Sequence, residues 1–317
     1  MSDKPLVTVI CATYNQASYI KDALEGFLKQ QTEFPFEVLI HDDASTDGTQ
    51  EILYDYMRKY PNFKVFFEKE NKYANPPRGG YFQGLLEKHA QGKYIAQCEG
   101  DDFWTDKCKL QRQFDYMESH PECVCCGHAS LAVDSENTDN IIFKIGYGNN
   151  PCSVTTEMVI NNINMQTATL FYRKGLGEKY SSEWGISSVI GDIPWLVWLC
   201  ENGDVHYDPS VASVYRSMSI GSYSAENSRD ILVMRNRQLI ELFDALDVFT
   251  ERKYSDAILD REAQYAYRGA RYGGLKFLSK GNPGYKVRSR ISIKKWVFLL
   301  VLNTYYSLKG KATHYNL

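Results

Sequence analysis

Three groups of acidic residues carry the chemistry this sequence could perform. Glu99-Gly100-Asp101-Asp102 sets carboxylates at adjacent and alternate positions around a glycine. Such oxygens can converge on one hard cation, Mg2+ or Mn2+, which takes its other ligands from phosphate and water. The glycine lets the backbone turn and lets a ligand approach. The competing reading is an acidic turn ahead of a helix, with Thr105 or Asp106 as N-cap. Asp42-Asp43-Ala44-Ser45-Thr46-Asp47-Gly48-Thr49 is the second group. It reads as a turn and helix start, and a carboxylate in it could also accept the imide N–H of a uracil ring. Asp192 is the third. Followed by Ile193-Pro194 it makes a good helix start, and a capping carboxylate gains N–H bonds that lower its basicity. A role as general base requires the carboxylate to face a substrate instead.

These groups need a scaffold, and the flanking patterns supply one. Leu6–Cys11 is a continuous apolar run rich in β-formers, as in a strand buried on both faces. Ile20, Ala23, Leu24, Phe27 and Leu28 follow at helical spacing. Phe36–Ile40, Phe63–Phe67 and Lys93–Cys98 read as further strands, with helices over 50–59 and 80–90 and a loop over 71–80. A helix over 106–119 precedes a fifth strand, Cys123–Val133. Strand–helix alternation of this kind predicts a mostly parallel α/β sheet with helices on its faces. Ligands of such sheets sit beyond the carboxyl ends of the strands, where both acidic groups fall. Later residues read as loop or hairpin (134–152), helix (153–162), strand (167–173), short helix (193–200), strand (211–216) and Ser/Gly-rich loop (217–224). Two helical patterns then occupy 226–278.

Length and composition set outer limits. The 317 residues, 44% hydrophobic and 24% charged, suit a soluble chain of about two domains. No apolar run nears the roughly 20 residues that span a bilayer. The N-terminus lacks signal-peptide architecture, so the thiols of the eight Cys are expected to stay reduced in a cytosolic setting. Cys123, Cys125, Cys126 and His128 do not make a zinc site, because a strand points them to opposite faces. Net charge is −3, yet residues 280–317 hold eight Lys/Arg and no Asp/Glu. An acidic body with a basic tail excludes a general nucleic-acid binder and points to an enzyme with a tail for an anionic surface or partner. Residues 286–311 combine Lys286, Arg288, Arg290, Lys294, Lys295, Lys309 and Lys311 with the apolar run Trp296–Leu302. A helix there either lies on an anionic membrane or docks on the core with its lysines outward; both readings stay open.

Taken in order, Val7–Asn15, Asp42–Thr49, Arg78, Gly92-Lys93-Tyr94-Ile95, Glu99–Trp104, Gly191-Asp192 and Tyr215-Arg216 resemble the family 2 glycosyltransferases. The resemblance covers about residues 1–224. It implies a GT-A fold (nucleotide-binding half 1–120, acceptor-side half 121–224), followed by a helical extension (225–280) and a tail (281–317). It implies an inverting transfer from a nucleotide-sugar donor, a UDP-sugar first of all, to a glycan or lipid-linked acceptor, with Mn2+ or Mg2+ as cofactor. Carried over by position, Tyr14 lines the base pocket, Asp43 binds the uracil and Arg78 approaches the nucleotide, with Ala12, Asn15, Glu99 and Gly100 also nucleotide-binding. Asp101 holds the divalent metal on the diphosphate, Glu99 stands in the place of the first acid of the family's D-x-D, and Asp192 is the general base. Arg216 is a candidate diphosphate contact; Asp102, Trp104 and Trp184 are candidate sugar or acceptor contacts. Trp195 and Trp198 read as core. The implied setting is surface-polysaccharide assembly at the cytoplasmic face of the membrane; homo-oligomerisation is left open.

Two departures from the family pattern bear on the metal. Glu99 replaces the usual first Asp, and Ser217-Met218 stands where many relatives place a His; Met is a poor ligand for a hard cation. Two rival readings remain. One is an inactive sugar-binding or scaffold protein on the same fold. The other is a sugar-phosphate nucleotidyltransferase, which predicts a Gly-rich basic loop where this chain has Ala12-Thr13-Tyr14-Asn15.

Overall fold

The computed structural model describes residues 4–72, 80–184, 186, 190–217, 219 and 228–308, with side chains to 304. Strand–helix alternation builds its first part: β1 (Val7–Thr13), α1 (Ile20–Leu28), β2 (Phe36–Asp42), α2 (Thr49–Lys59), β3 (Phe63–Phe67), α3 (Tyr81–His89) and β4 (Tyr94–Gln97). β1 is buried throughout except at half-buried Ala12, as a strand covered on both faces must be. α1 turns Ile20, Ala23, Leu24 and Phe27 inward. There follow β5 (Phe103–Trp104), α4 (Lys109–Ser119), β6 (Cys123–Asp134), β7 (Ile141–Ile145), β8 (Cys152–Ser153) and α5 (Thr156–Asn161). A 3-10 turn (Thr167–Thr169) then leads to β9 (Phe171–Arg173), α6 (Leu176–Glu183), α7 (Asp192–Asn202) and β10 (Asp204–Ser217).

Among the described residues the strands form one sheet in the order β3-β2-β1-β4-β9-β6-β10-β5, with β7 on β6 and β8 on β10. The β3-β2-β1-β4 half is parallel, and so is the β6–β10 pair. β9 runs antiparallel to both of its neighbours. The carboxyl ends of β1, β2 and β4 therefore face the same way, and each leads into a segment singled out by its carboxylates or polar residues.

The structure departs from the sequence reading in the middle of the chain. The strand expected from Thr167 begins as a 3-10 turn, because the Thr169 hydroxyl and N–H both donate to the Gln166 carbonyl. The helix expected from Ser153 starts at Thr156, where the Thr155 hydroxyl accepts the Met158 N–H; Cys152–Ser153 pairs with β10 instead. α6 was not legible: it carries only Leu176 and Tyr180 as apolar residues. Its N-terminus is set by a distant group, Glu87, whose carboxylate accepts the N–H groups of Gly175, Gly177 and Glu178 at 3.0–3.1 Å. Cys123, Cys125 and Cys126 are buried on β6.

The chain divides into two units, Met1–Ser187 with Gly191–Ala225, and Ser188–Ile190 with Glu226–Leu317. The second contains α8 (Arg229–Phe249), α9 (Ser255–Gly273), three 3-10 turns and α10 (Ile293–Leu308). α8 buries Leu239, Ile240, Leu242, Phe243 and Leu246; α9 buries Ile258, Ala263, Tyr265, Ala266 and Ala270. Lys286 pairs with Asp244 and with buried Glu262, and Arg290 pairs with Asp256 and Asp260. These pairs fasten the segment ahead of α10 to the two long helices. No described helix is long and apolar enough to cross a membrane.

Candidate active site

The loops after β1 and β2 are stitched into one wall. The Asn15 N–H donates to the Ser45 hydroxyl (2.8 Å), the Gln16 N–H to the Thr49 hydroxyl (2.9 Å) and the Ala17 N–H to Asp47 Oδ2 (2.9 Å). In return, Asn15 Oδ1 accepts the Thr46 N–H (2.8 Å). Asn15 (φ 51°) and Ala44 (φ 64°) both take left-handed conformations, which cost a non-glycine residue about 1 kcal/mol or more. The stitching holds them there. Asp43 is buried and its Oδ1 accepts the Lys72 N–H (2.8 Å). Tyr14 stands open beside this wall, 43% exposed.

The acidic turn after β4 lies against the same wall. The Gly100 N–H donates to the Ala12 carbonyl (3.0 Å). A Cβ at Gly100 would fall 2.4 Å from Gln16 Oε1 and 2.8 Å from both Thr13 Oγ1 and Ile20 Cδ1, so only glycine permits this approach. The end of β10 holds the turn from behind. The Arg216 N–H donates to Asp102 Oδ1 (3.0 Å), and its guanidinium donates to the Asp101 carbonyl (2.7 Å) and to Asp22 on α1. The Ser219 hydroxyl donates to Asp101 Oδ2 (2.7 Å).

Carboxyl groups crowd together here, with the Arg216 guanidinium braced against them. Glu99 reaches solvent, but restricted hydration and the charges of Asp192, Asp101 and Asp102 push its carboxyl well above the usual range. Burial, and then Asp101, does the same to Asp102, against the opposing pull of Arg216. Asp192 is raised by burial, and a hydrogen bond from Thr167 pulls it part of the way back.

Asp192 does not cap its own helix. It is the first residue of α7, Gly191 takes the N-cap position, and no side chain caps there. Asp192 Oδ1 instead accepts the Thr167 hydroxyl hydrogen at 2.8 Å. The turn bearing Thr167 is itself clamped: the Trp104 indole N–H donates to the Ala168 carbonyl (2.9 Å), and the Gln113 amide to the Thr169 carbonyl (2.9 Å). α7 is rooted in the core through Trp195 and Trp198, whose rings stack with centroids 5.7 Å apart.

The fold thus brings Ala12, Tyr14, Asn15, Asp43, Glu99, Gly100 and Asp101 to the carboxyl end of the parallel half-sheet, with Asp192 within electrostatic reach of Glu99. Arg78 lies outside the described residues. Three candidates stand elsewhere than expected. Arg216 is 3% exposed, and its terminal nitrogens are bonded to the Asp101 carbonyl and to Asp22, so it braces the acidic turn rather than meeting a diphosphate. Trp104 is buried between Phe27, at 4.8 Å, and the Lys109 ammonium, 4.1 Å from its ring centroid, which leaves no face for a sugar. Asp102 is 1% exposed and holds the Arg216 backbone, behind the turn and not at an acceptor. Trp184 is half-buried at the end of α6. Thr167, Ser219 and Asp22 were missed. Their partners lie 25, 118 and 194 residues away, and no local spacing announces such contacts.

Among the described residues no group of three or more His, Cys, Asp or Glu is placed to hold a metal ion. The donor set still fits a hard cation. Asp101 offers carboxylate oxygen, and Mg2+-type sites commonly use one or two carboxylates and complete their shell with phosphate and water. The crowded charge around Glu99 and Asp102 favours such an ion further.

Residues 8–141 match the family model described as Glycosyl transferase family 2. An uncharacterised protein of Mycobacterium tuberculosis is 34% identical over 220 residues, covering 68% of this chain and 60% of that protein. TuaG of Bacillus subtilis, named as a teichuronic acid biosynthesis glycosyltransferase, is 36% identical over 140 residues, 44% of this chain and 53% of that one. In fold the chain is similar to S. aureus TarS 1–349 in complex with UDP-GlcNAc (TM-score 0.57, 17% identity, 98% of this chain and 93% of that one). It is also similar to the mannosyltransferase PcManGT of Pyrobaculum calidifontis in complex with GDP-Man and Mn2+ (TM-score 0.55, 15% identity, 97% and 88%). Fold and site define a GT-A protein with an acidic centre at the ends of its parallel strands. The chain belongs to glycosyl transferase family 2. It spans about 60% of the length of the mycobacterial relative.

Proposed function

We propose that the chain is an inverting glycosyltransferase that moves a sugar from a UDP-sugar to a hydroxyl of a glycan or lipid-linked acceptor. The observation that carries this reading is the placement of Asp192: half-buried, held by Thr167 rather than by its own helix, and close enough for its charge to act on Glu99 of the acidic turn. In the proposed reaction the acceptor oxygen attacks the anomeric carbon, the bond from that carbon to the diphosphate oxygen breaks, and Asp192 takes the acceptor proton. Displacement in one step inverts the configuration and requires no nucleophilic side chain. Thr167 occupies Oδ1 and leaves Oδ2 to the acceptor, so it orients the base. Asp43, Tyr14 and Asn15 form the proposed base pocket. Asp101 is the proposed ligand of Mn2+ or Mg2+, which when bound stabilises charge on the departing diphosphate. Arg216 and Ser219 fix the acidic turn. The setting that fits is surface-polysaccharide assembly at the cytoplasmic face of a membrane.

The test is calorimetric titration of UDP into the protein with and without Mn2+, beside Asp101→Ala. Binding that depends on the metal and is lost in Asp101→Ala is the expected result. A folded wild type that binds UDP in neither condition overturns the UDP assignment, and absence of binding by any nucleotide leaves a scaffold on the same fold. Transfer with unchanged turnover in Asp192→Asn removes the base assignment alone.

A further inference from the structure

α10 is apolar around its circumference, yet only one side of it is covered. Leu299 is 2% exposed, the Trp296 indole donates to the Arg288 carbonyl (3.1 Å), and Phe298 lies near the Tyr267 ring and the Arg271 guanidinium of α9. On the other side Ile293 (82%), Val297 (54%), Leu300 (51%) and Val301 (64%) stand exposed. At about 100° per residue these four fall within one band roughly 100° wide. Lys294 borders that band and is exposed; Lys295 falls on the opposite side, its ammonium 5.1 Å from the Tyr267 ring centroid. A helix apolar on every side is one with a partner on every side.

Charge identifies the partner. Residues 226–317 hold 17 Lys/Arg against nine Asp/Glu. Lys286 and Arg290 are committed to Asp244, Glu262, Asp256 and Asp260, so they do not serve the outer face. Lys294 and Lys295 make no ion pair among the described residues. The α10 of a second copy would offer Lys294 no carboxylate, since residues 280–317 hold no Asp or Glu, whereas an anionic surface complements it. We propose that the outer face of α10 docks on an anionic bilayer. Ile293, Val297, Leu300 and Val301 enter the boundary between headgroups and acyl chains, and Lys294 sits at lipid phosphates. The helix lies on the membrane and does not span it. The proposal deepens the membrane setting given above and is independent of every catalytic assignment.

The test is flotation of the full chain, without donor or acceptor, with vesicles of phosphatidylglycerol and phosphatidylcholine and with phosphatidylcholine alone. Wild type should bind the anionic vesicles preferentially. Val297→Ser/Val301→Ser, with an unchanged circular dichroism spectrum, should lose more than about tenfold in partitioning. Lys294→Gln should lose about fivefold on anionic vesicles only. Equal partitioning of wild type and the apolar variant overturns the proposal, as does a folded wild type that binds neither vesicle. So does a lipid-free dimer, seen by sedimentation, that Val297→Ser/Val301→Ser dissociates; that outcome assigns the face to a second copy.

Discussion

The turn after β2 and the turn after β4 both gather carboxylates, at equivalent ends of the two strands that flank β1, and the groups in them titrate in opposite directions. In the first, Asp47 Oδ1 accepts the N–H and hydroxyl of Thr49, and Oδ2 accepts the Ala17 N–H. Asp42 Oδ1 accepts the Ser45 N–H and the Gln50 amide, leaving only its Oδ2 without a partner. Lost hydration pushes the Asp47 carboxyl up, but its hydrogen bonds from Thr49 and Ala17 together outweigh this and hold it below its ordinary value. In the second turn, Glu99 and Asp102 are raised well above theirs. In the first turn hydrogen bonds prevail; in the second, lost hydration comes first and neighbouring carboxylates add to it. The difference comes from what surrounds the oxygens, not from which acids the sequence contains.

Asp192→Asn should break the working side of this contrast most. Turnover should fall about 10²–10⁴-fold with UDP affinity unchanged, as read by steady-state kinetics beside calorimetry. Arg216→Met removes the brace behind the acidic turn. It should destabilise the fold by roughly 2–3 kcal/mol in a urea titration, since hydrogen bonds to a charged, buried group are lost, and weaken metal-dependent UDP binding. Thr167→Val takes away the one bond that lowers the Asp192 pKa. The base must be deprotonated to act, so activity is lost as pH falls through that pKa. Raising it should move the acid limb of the kcat/KM profile to higher pH and cost about tenfold in turnover at neutral pH; Thr167→Ser should restore both. Asp47→Ala should have the smallest effect, about 1 kcal/mol of stability, with turnover per folded molecule unchanged. Its pH dependence sharpens the comparison. A carboxyl lowered on folding lends stability above its unfolded value near 3.8 and loses it as pH falls through the folded value. In acid, wild type and Asp47→Ala should therefore converge in thermal denaturation.

Much of the parallel half-sheet was legible because its signals are local. The apolar run of β1, the helical spacing of Ile20 to Phe27 and the acids at the strand ends are each read within a dozen residues. The sequence also located Glu99 to Asp101 and Asp192. It could not show how Asp192 is held, since the helix start at Ile193-Pro194 pointed to a cap while the actual partner, Thr167, sits on a turn that reads as strand. Arg216 misled for a related reason. A conspicuous cation near an anion site invites a ligand role, and only the folded chain reveals Asp22 and the Asp101 carbonyl as its partners. β9 is three residues long and reverses the sheet's direction, which short apolar runs do not encode.

The rooting of α7 has an evolutionary consequence. Ile193 to Leu199 are all buried beneath the residue proposed as base, so that residue rides on a part of the chain where almost any exchange is punished. β7, by contrast, presents Ile141, Ile142 and Phe143 to solvent at more than half or about half exposure; it pairs as a strand with β6, and its Lys144 ammonium donates to the Pro209 carbonyl of β10. A substitution on such a hairpin disturbs little packing, whereas one in α7 disturbs the footing of Asp192. If Asp192 is the base, as proposed, the hairpin is where this scaffold can vary without touching it.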